Sequence, residues 1–140
     1  MNILVVGGGG REHAIIKKLR ENERVETIYA LPGNGGIAQD AVCTGIAATD
    51  LDGIAAFARE NPVDFAVIAP DDPLVLGLAD RLRGLGIPCF GPSAKAAAIE
   101  GSKVFAKDLM RKYGIPTARY QVFTSSAEAL AYLETCPYPA

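Results

Sequence analysis

Four consecutive glycines, Gly7-Gly8-Gly9-Gly10, follow directly on the apolar run Ile3-Leu4-Val5-Val6 and precede a helical pattern; no other feature restricts the fold as strongly. A short β-branched run that ends in glycine reads as a buried parallel strand, not a helix. From Arg11 onward, Ala14, Ile15, Ile16 and Leu19 fall on one helical face, while Arg11, Glu12, Lys17, Lys18 and Arg20 fill the other. Val25 to Ala30 predicts a second strand, ended by the turn residues Pro32-Gly33-Asn34-Gly35-Gly36. Strand, helix and strand within about thirty residues make a β-α-β unit.

The same alternation continues. Val42 to Ile46 can form a short strand, and Thr49 or Asp50 can cap a helix whose apolar side carries Ile54, Ala55, Phe57 and Ala58 and which Asn61-Pro62 ends. Asp64 to Ala69 is a continuous apolar strand running into Pro70-Asp71-Asp72-Pro73. Leu74, Leu78 and Leu82 predict one helix over Pro73 to Leu85, and Ile87 to Phe90 a last strand before Gly91-Pro92-Ser93. Right-handed crossovers turn such an order into an α/β fold with an open, doubly wound parallel sheet, which binds ligands beyond the carboxyl ends of its strands. The loops at that edge are Gly7 to His13, Pro32 to Gly36, Ala69 to Leu74 and Gly91 to Ala94.

A domain boundary is expected near residue 100, giving a first domain 1–100 and a second segment 101–140. Ser93 to Ile99 is an Ala-rich helix. Gly101-Ser102 starts another, with Val104, Phe105, Leu109 and Met110 expected to face inward and Gly114-Ile115-Pro116 to stop it. Arg119 to Phe123 then reads as a strand and Ser125 to Thr135 as a capped helix. The end at Cys136-Pro137-Tyr138-Pro139-Ala140, where an α/β chain would return into a further strand, suggests a piece of a longer protein.

Composition narrows the function. Among 140 residues, 14 Lys and Arg against 16 Asp and Glu give a net charge of −2, which argues against a nucleic-acid partner. No apolar run approaches the ~20 residues that cross a bilayer, and Met1-Asn2 enters the first strand without the basic segment of a secretory signal. A cytoplasmic protein with no membrane partner is expected. Cys43, Cys89 and Cys136 are far apart and lack metal-ligand spacing, so they are read as reduced thiols, with no metal site.

The glycine loop sits where unpaired N–H groups at a helix start suit a phosphate. It completes no G-x-G-x-x-G register, since Gly7 and Gly9 lead to Glu12 and Gly8 and Gly10 lead to His13. The ribose-binding carboxylate of a dinucleotide site is also missing, because Tyr29-Ala30-Leu31-Pro32 stands at the end of strand two. No G-K-[ST] follows, which excludes a Walker loop. A single phosphate of a smaller ligand, a tight packing turn and a dinucleotide stay open, in that order. Arg11 can fork onto a phosphate and Glu12 can accept from a sugar hydroxyl or amine. His13, the only histidine, reads as a packed residue with one backbone hydrogen bond. One of Asp71 and Asp72 is expected to cap the next helix, leaving the other for the hydroxyls or amino group of a ribosyl ligand. Lys103 and Lys107 repel each other one helical turn apart, a conflict that a polyphosphate would remove.

Together, Gly7-Gly8-Gly9-Gly10-Arg11-Glu12-His13-Ala14, Pro32-Gly33-Asn34-Gly35, Asp71-x-Pro73-Leu74-x-x-Gly77, Phe90-Gly91-Pro92-Ser93-x-Lys95-Ala96-Ala97 and Glu100-Gly101-Ser102-Lys103 resemble the phosphoribosylamine–glycine ligase family of de novo purine synthesis. The resemblance covers all 140 residues. It implies an incomplete Rossmann-like, pre-ATP-grasp domain followed by the start of an ATP-grasp domain. The implied activity is an ATP-dependent carbon-nitrogen ligase that joins phosphoribosylamine and glycine into glycinamide ribonucleotide. Gly8, Gly9, Gly10, Arg11 and Glu12 would then face phosphoribosylamine, Asp71 its sugar or amine, and Lys103 and Lys107 would lie where a hinge helix approaches ATP. The family usually carries Asn at Gly8, and Gly-Pro-Glu at Ala69-Pro70-Asp71. ATP and Mg2+ are implied for the full-length parent, with no tight binding and no ligation expected from these 140 residues alone. The alternatives are an NAD- or nucleotide-sugar-dependent oxidoreductase domain and a non-catalytic α/β ligand-binding domain.

Overall fold

A computed structural model describes residues 1–136. The chain forms two compact units, Met1–Gly101 and a second beginning at Ser102. In the first, strands β1 (Asn2–Gly7), β2 (Thr27–Pro32), β3 (Val42–Cys43), β4 (Phe65–Ile68) and β5 (Cys89–Phe90) form one parallel sheet in the order β3-β2-β1-β4-β5. The chain therefore runs outward from β1 in both directions, and the crevice at this reversal is where an open sheet binds ligands.

Two cores lie on opposite faces of that sheet because alternate residues of β1 point opposite ways. Leu4 and Val6 pack with Leu31, Ile54, Ile68 and Leu78, under helices α2 (Leu51–Glu60) and α4 (Leu78–Gly84). Ile3 and Val5 pack with Ile28, Val67 and Ile16, the last from helix α1 (Gly10–Arg20). Burial of these side chains stabilises the unit by roughly 1.5–3 kcal/mol each before the entropy of ordering is subtracted. Asp50, not Thr49, caps α2: its Oδ1 accepts the Gly53 N–H at 2.9 Å.

In the first unit, four expectations about secondary structure need correction. The helix predicted over Pro73 to Leu85 is two helices, α3 (Asp71–Val75) and α4, because Gly77 between them takes φ 93°, a left-handed conformation that a helix cannot continue through. Neither Asp71 nor Asp72 caps: Pro70 holds the cap position and both carboxylates lie in the first turn of α3. Strand two is displaced two residues along the chain, to Thr27–Pro32, since pairing with β1 runs from Asn2 opposite Thr27 to Gly7 opposite Pro32 while Val25 closes a turn onto Asn22. The short strands β3 and β5 span only two residues each.

Helix α5 (Ala94–Gly101) ends the first unit. The second contains α6 (Lys103–Lys112), capped by Ser102 Oγ, which accepts the Phe105 N–H at 3.3 Å. Gly114 follows at φ 64°, and α7 (Ser126–Leu133) is capped in the same way by Ser125. Arg119 to Phe123 does not form the predicted strand, because no other strand lies among the described residues of this unit and a strand exists only by pairing. Val104 and Phe105 do not face inward either; they are 47% and 45% exposed, whereas Leu109 and Met110 are partly covered. Of the chain end Cys136 to Ala140, expected to approach a further strand, residues 137–140 lie outside the described residues. No helix among the described residues is long and apolar enough to cross a membrane.

Candidate substrate site

The glycine loop lies at the carboxyl end of β1, between β2 and β4, and leads into α1 at Gly10. Glu12, in the first turn of α1, is 4% exposed. One of its carboxylate oxygens accepts the Gly9 N–H at 2.6 Å and the other the Arg11 Nε–H at 3.0 Å. Burying a carboxylate is costly unless its oxygens are paired, and this pairing ties the acid to the loop. Glu12 is therefore turned into the protein, while the Arg11 side chain is 62% exposed.

The turn after β2 closes on the loop from the other side. Gly33 N–H donates to the Gly7 carbonyl at 3.2 Å, and Asn34 Nδ2 donates to the Gly8 carbonyl at 2.7 Å. The approach is so close that a Cβ on Gly8 would stand 2.6 Å from the Gly33 carbonyl oxygen. Any side chain at Gly8 would therefore have to displace the Gly33 carbonyl. At Gly10, by contrast, a Cβ would meet nothing within 4 Å.

His13 does not make the expected backbone bond. Its Nε2 lies 3.1 Å from Asp40 Oδ2, and Lys17 Nζ reaches the same oxygen at 3.0 Å. The hydrogen bonds from Lys17 and then His13 hold the Asp40 carboxyl below its ordinary range. His13 and Asp40 thus brace α1 against the segment between β2 and β3.

Beside the loop, at the ends of β4 and β5, lies a cleft of about 390 Å³ bordered by Arg11, Ile68, Leu74, Phe90 and Pro92. Its wall is held by Arg83, whose Nη2 donates to the Gly91 carbonyl at 2.6 Å and the Cys89 carbonyl at 3.2 Å, and by Asp80, which accepts the Ala94 N–H at 2.8 Å. Phe90 remains 66% exposed, an apolar surface on the same cleft as Arg11. Asp71 begins α3 two residues beyond Ala69 of the cleft, exposed and without a hydrogen-bond or ion-pair partner among the described residues. The structure thus places Gly8, Gly9, Gly10, Arg11 and Asp71 at one sheet edge, and it turns Glu12 inward. Asn34, Arg83, Asp80 and Phe90 build this edge as well and were not selected from the sequence. Only Asn34, in its glycine-flanked turn, and Phe90, before Gly91-Pro92, stand in stretches that signal a role.

In the second unit, Lys103 is exposed, and Lys107 Nζ donates to Thr117 Oγ1 at 2.6 Å and to the Ala118 carbonyl at 3.4 Å, 5.4 Å from the centre of the Tyr120 ring. Lys107 thus ties α6 to the segment that follows it. No group of three or more His, Cys, Asp or Glu among the described residues is placed to hold a metal ion.

Comparison with known proteins decides the family. Residues 1–100 match the N domain of phosphoribosylglycinamide synthetase, and residues 101–140 its ATP-grasp (A) domain. The chain belongs to the phosphoribosylglycinamide synthetase family. A phosphoribosylamine–glycine ligase from Caldanaerobacter subterraneus subsp. tengcongensis is 50% identical over 99% of this chain and 33% of its own length. The trifunctional purine biosynthetic protein adenosine-3 of Drosophila melanogaster is 48% identical, over 99% of this chain and 11% of its own. The chain spans about a third of the length of the phosphoribosylamine–glycine ligases it matches. A crystal structure of phosphoribosylamine–glycine ligase from Thermotoga maritima superposes with a TM-score of 0.73 at 27% identity, covering 99% of this chain and 32% of that one. The N5-carboxyaminoimidazole ribonucleotide synthetase of the same organism shares the fold, at a TM-score of 0.67 and 20% identity over 94% of this chain and 36% of that one.

Proposed function

We propose that this chain is the amino-terminal part of an ATP-dependent ligase that joins phosphoribosylamine and glycine into glycinamide ribonucleotide in purine synthesis, working in the cytoplasm on small molecules. Residues 1–100 form the phosphoribosylamine-binding domain and residues 101–140 open an ATP-grasp domain. The observation that carries this reading is the one sheet edge that bears the glycine loop, the exposed Arg11 and the unpartnered Asp71, in a chain of this family. The N–H groups of Gly10 and Arg11, at the start of α1, and the Arg11 guanidinium receive the phosphate. Asp71 accepts from the ribosyl hydroxyls or amine.

ATP supplies the activation of the glycine carboxyl in the parent enzyme, and Lys103 and Lys107 of α6 lie on the side that approaches it. Of these, Lys103 is free to reach a phosphate, while Lys107 would have to exchange its bonds to Thr117 and Ala118. Mg2+ is a cofactor of the full-length parent, and these 140 residues alone are expected to bind the phosphoribosyl part weakly, if at all, and to catalyse no ligation.

Thermal unfolding with ribose 5-phosphate, the stable part of the substrate, separates this reading from the oxidoreductase alternative. Ligand that binds only the folded state raises the melting temperature. Ribose 5-phosphate is expected to protect and NAD is not; protection by NAD alone contradicts the proposal.

A further inference from the structure

We propose that Asn34 is a positioning residue of the phosphoribosyl site, acting with Glu12 as a two-ended clamp on the Gly8–Gly9 peptide; the proposal rests on the phosphoribosyl reading above. In a trans peptide the carbonyl of one residue and the N–H of the next point in opposite directions. Here both ends are held. Asn34 Nδ2 donates to the Gly8 carbonyl at 2.7 Å, and the Gly9 N–H donates to Glu12 Oε2 at 2.6 Å. The orientation of the Asn34 amide follows from its other partners, since its Oδ1 accepts the N–H groups of Gly36 at 2.8 Å and Ile37 at 2.9 Å. Turning the Gly8–Gly9 peptide over would break both bonds and set a carbonyl oxygen against the Glu12 carboxylate.

A peptide between two glycines needs such a clamp, because neither residue's side chain restricts it. The clamp also sorts the polar groups of the loop. The Gly8 carbonyl, which would repel a phosphate, is turned toward Asn34, and the Gly9 N–H is engaged by Glu12. The donors left for an anion include those of Gly10, Arg11 and Glu12, which have no acceptor within α1, whose first intrahelical bond runs from His13 N–H to the Gly9 carbonyl. The second oxygen of Glu12 steers the Arg11 side chain through Nε at 3.0 Å, leaving its terminal nitrogens without partners in the protein. Glu12 therefore positions the loop and Arg11 instead of touching the substrate.

The test uses the whole 140-residue chain, labelled with 15N, as wild type, Asn34→Asp and Glu12→Gln, with and without ribose 5-phosphate. Asn34→Asp keeps an acceptor for Gly36 and Ile37 and removes the donor to Gly8. In the wild type the Gly9 amide proton is expected far downfield, as a short bond to a carboxylate demands. In Asn34→Asp it moves upfield and exchanges faster while Gly36 and Ile37 stay protected, and the Kd for ribose 5-phosphate rises about tenfold, as for one lost hydrogen bond. Glu12→Gln, whose acceptor is neutral, shows the same two changes and carries the test if the first variant does not fold. An unmoved Gly9 amide in the folded variants overturns the clamp. An unchanged Kd in a variant whose Gly9 amide has moved overturns the positioning role. A wild type that does not bind at millimolar ligand overturns the phosphoribosyl reading and the positioning role with it; that failure is distinct because the Gly9 amide still reports the clamp.

Discussion

In the unit Met1–Gly101, Leu4, Val5 and Val6 have no exposed surface, whereas in the unit beginning at Ser102, Phe105 and Leu130 leave 45% and 63% of theirs in solvent. Both stretches are comparably apolar in sequence, so composition does not explain the contrast. Layers do. The five-stranded sheet offers two faces, each covered by helices, and a residue of β1 is buried whichever way it points. From Ser102 on, the described residues form helices α6 and α7 and no strand, and none of them is fully buried. A segment this short has too much surface for its volume to enclose a core. The candidate loop is therefore held by the well-packed unit, while Lys103 and Lys107 stand on the loosely packed one.

The largest effects should separate the two units. Leu4→Ala or Ile68→Ala is expected to cost about 2–5 kcal/mol in denaturant unfolding, whereas Phe105→Ala costs under about 0.5 kcal/mol. Equal losses would break the comparison. Next in size is a contrast inside the glycine loop. Gly8→Ala drives a Cβ onto the Gly33 carbonyl and should cost about 1–3 kcal/mol, while Gly10→Ala, with open space around it, should stay within about 0.5 kcal/mol of wild type. Urea midpoints of the two variants check this directly.

A smaller effect comes from acid. Asp40, bonded first by Lys17 and then by His13, and Glu128, whose carboxyl accepts from the Thr124 backbone and hydroxyl, both titrate below their ordinary values. A carboxyl whose pKa is lower folded than unfolded stabilises above its unfolded value, and that stability is lost as pH falls through the folded one. Glu128 is exposed and Asp40 is partly exposed, so solvent screens both and the slope is shallow. Melting temperatures below pH 4 should lose part of their pH dependence in Asp40→Asn and keep it in Glu128→Gln, because only Asp40 belongs to the unit whose unfolding is cooperative. The reverse pattern would place the cooperative core in the wrong unit.

The order of strands and helices in the first unit is legible in the sequence because its signals are local: apolar runs, glycine turns and the cap at Asp50. The break at Gly77 is not, since Leu74, Leu78 and Leu82 keep helical spacing across it and only the backbone angle ends α3. Arg119 to Phe123 has the composition of a strand and lacks a neighbour to pair with, a condition no local pattern reports. The site divides in the same way. Glycines after a strand mark the loop at Gly8 to Arg11, but an acidic residue in a first helical turn reads as exposed, so the burial of Glu12 is hidden. The contact between Asn34 and Gly8 spans 26 residues and exists only once β2 lies beside β1.

The central claim is that this sheet edge binds a phosphoribosyl group, and a chemical-shift map of the wild-type chain titrated with ribose 5-phosphate tests it most directly. The account predicts saturable shifts at the amides of Gly8 to Glu12 and at Asp71, with the residues from Ser102 onward unmoved. A silent spectrum at millimolar ligand, or shifts confined to α6 and α7, would contradict it.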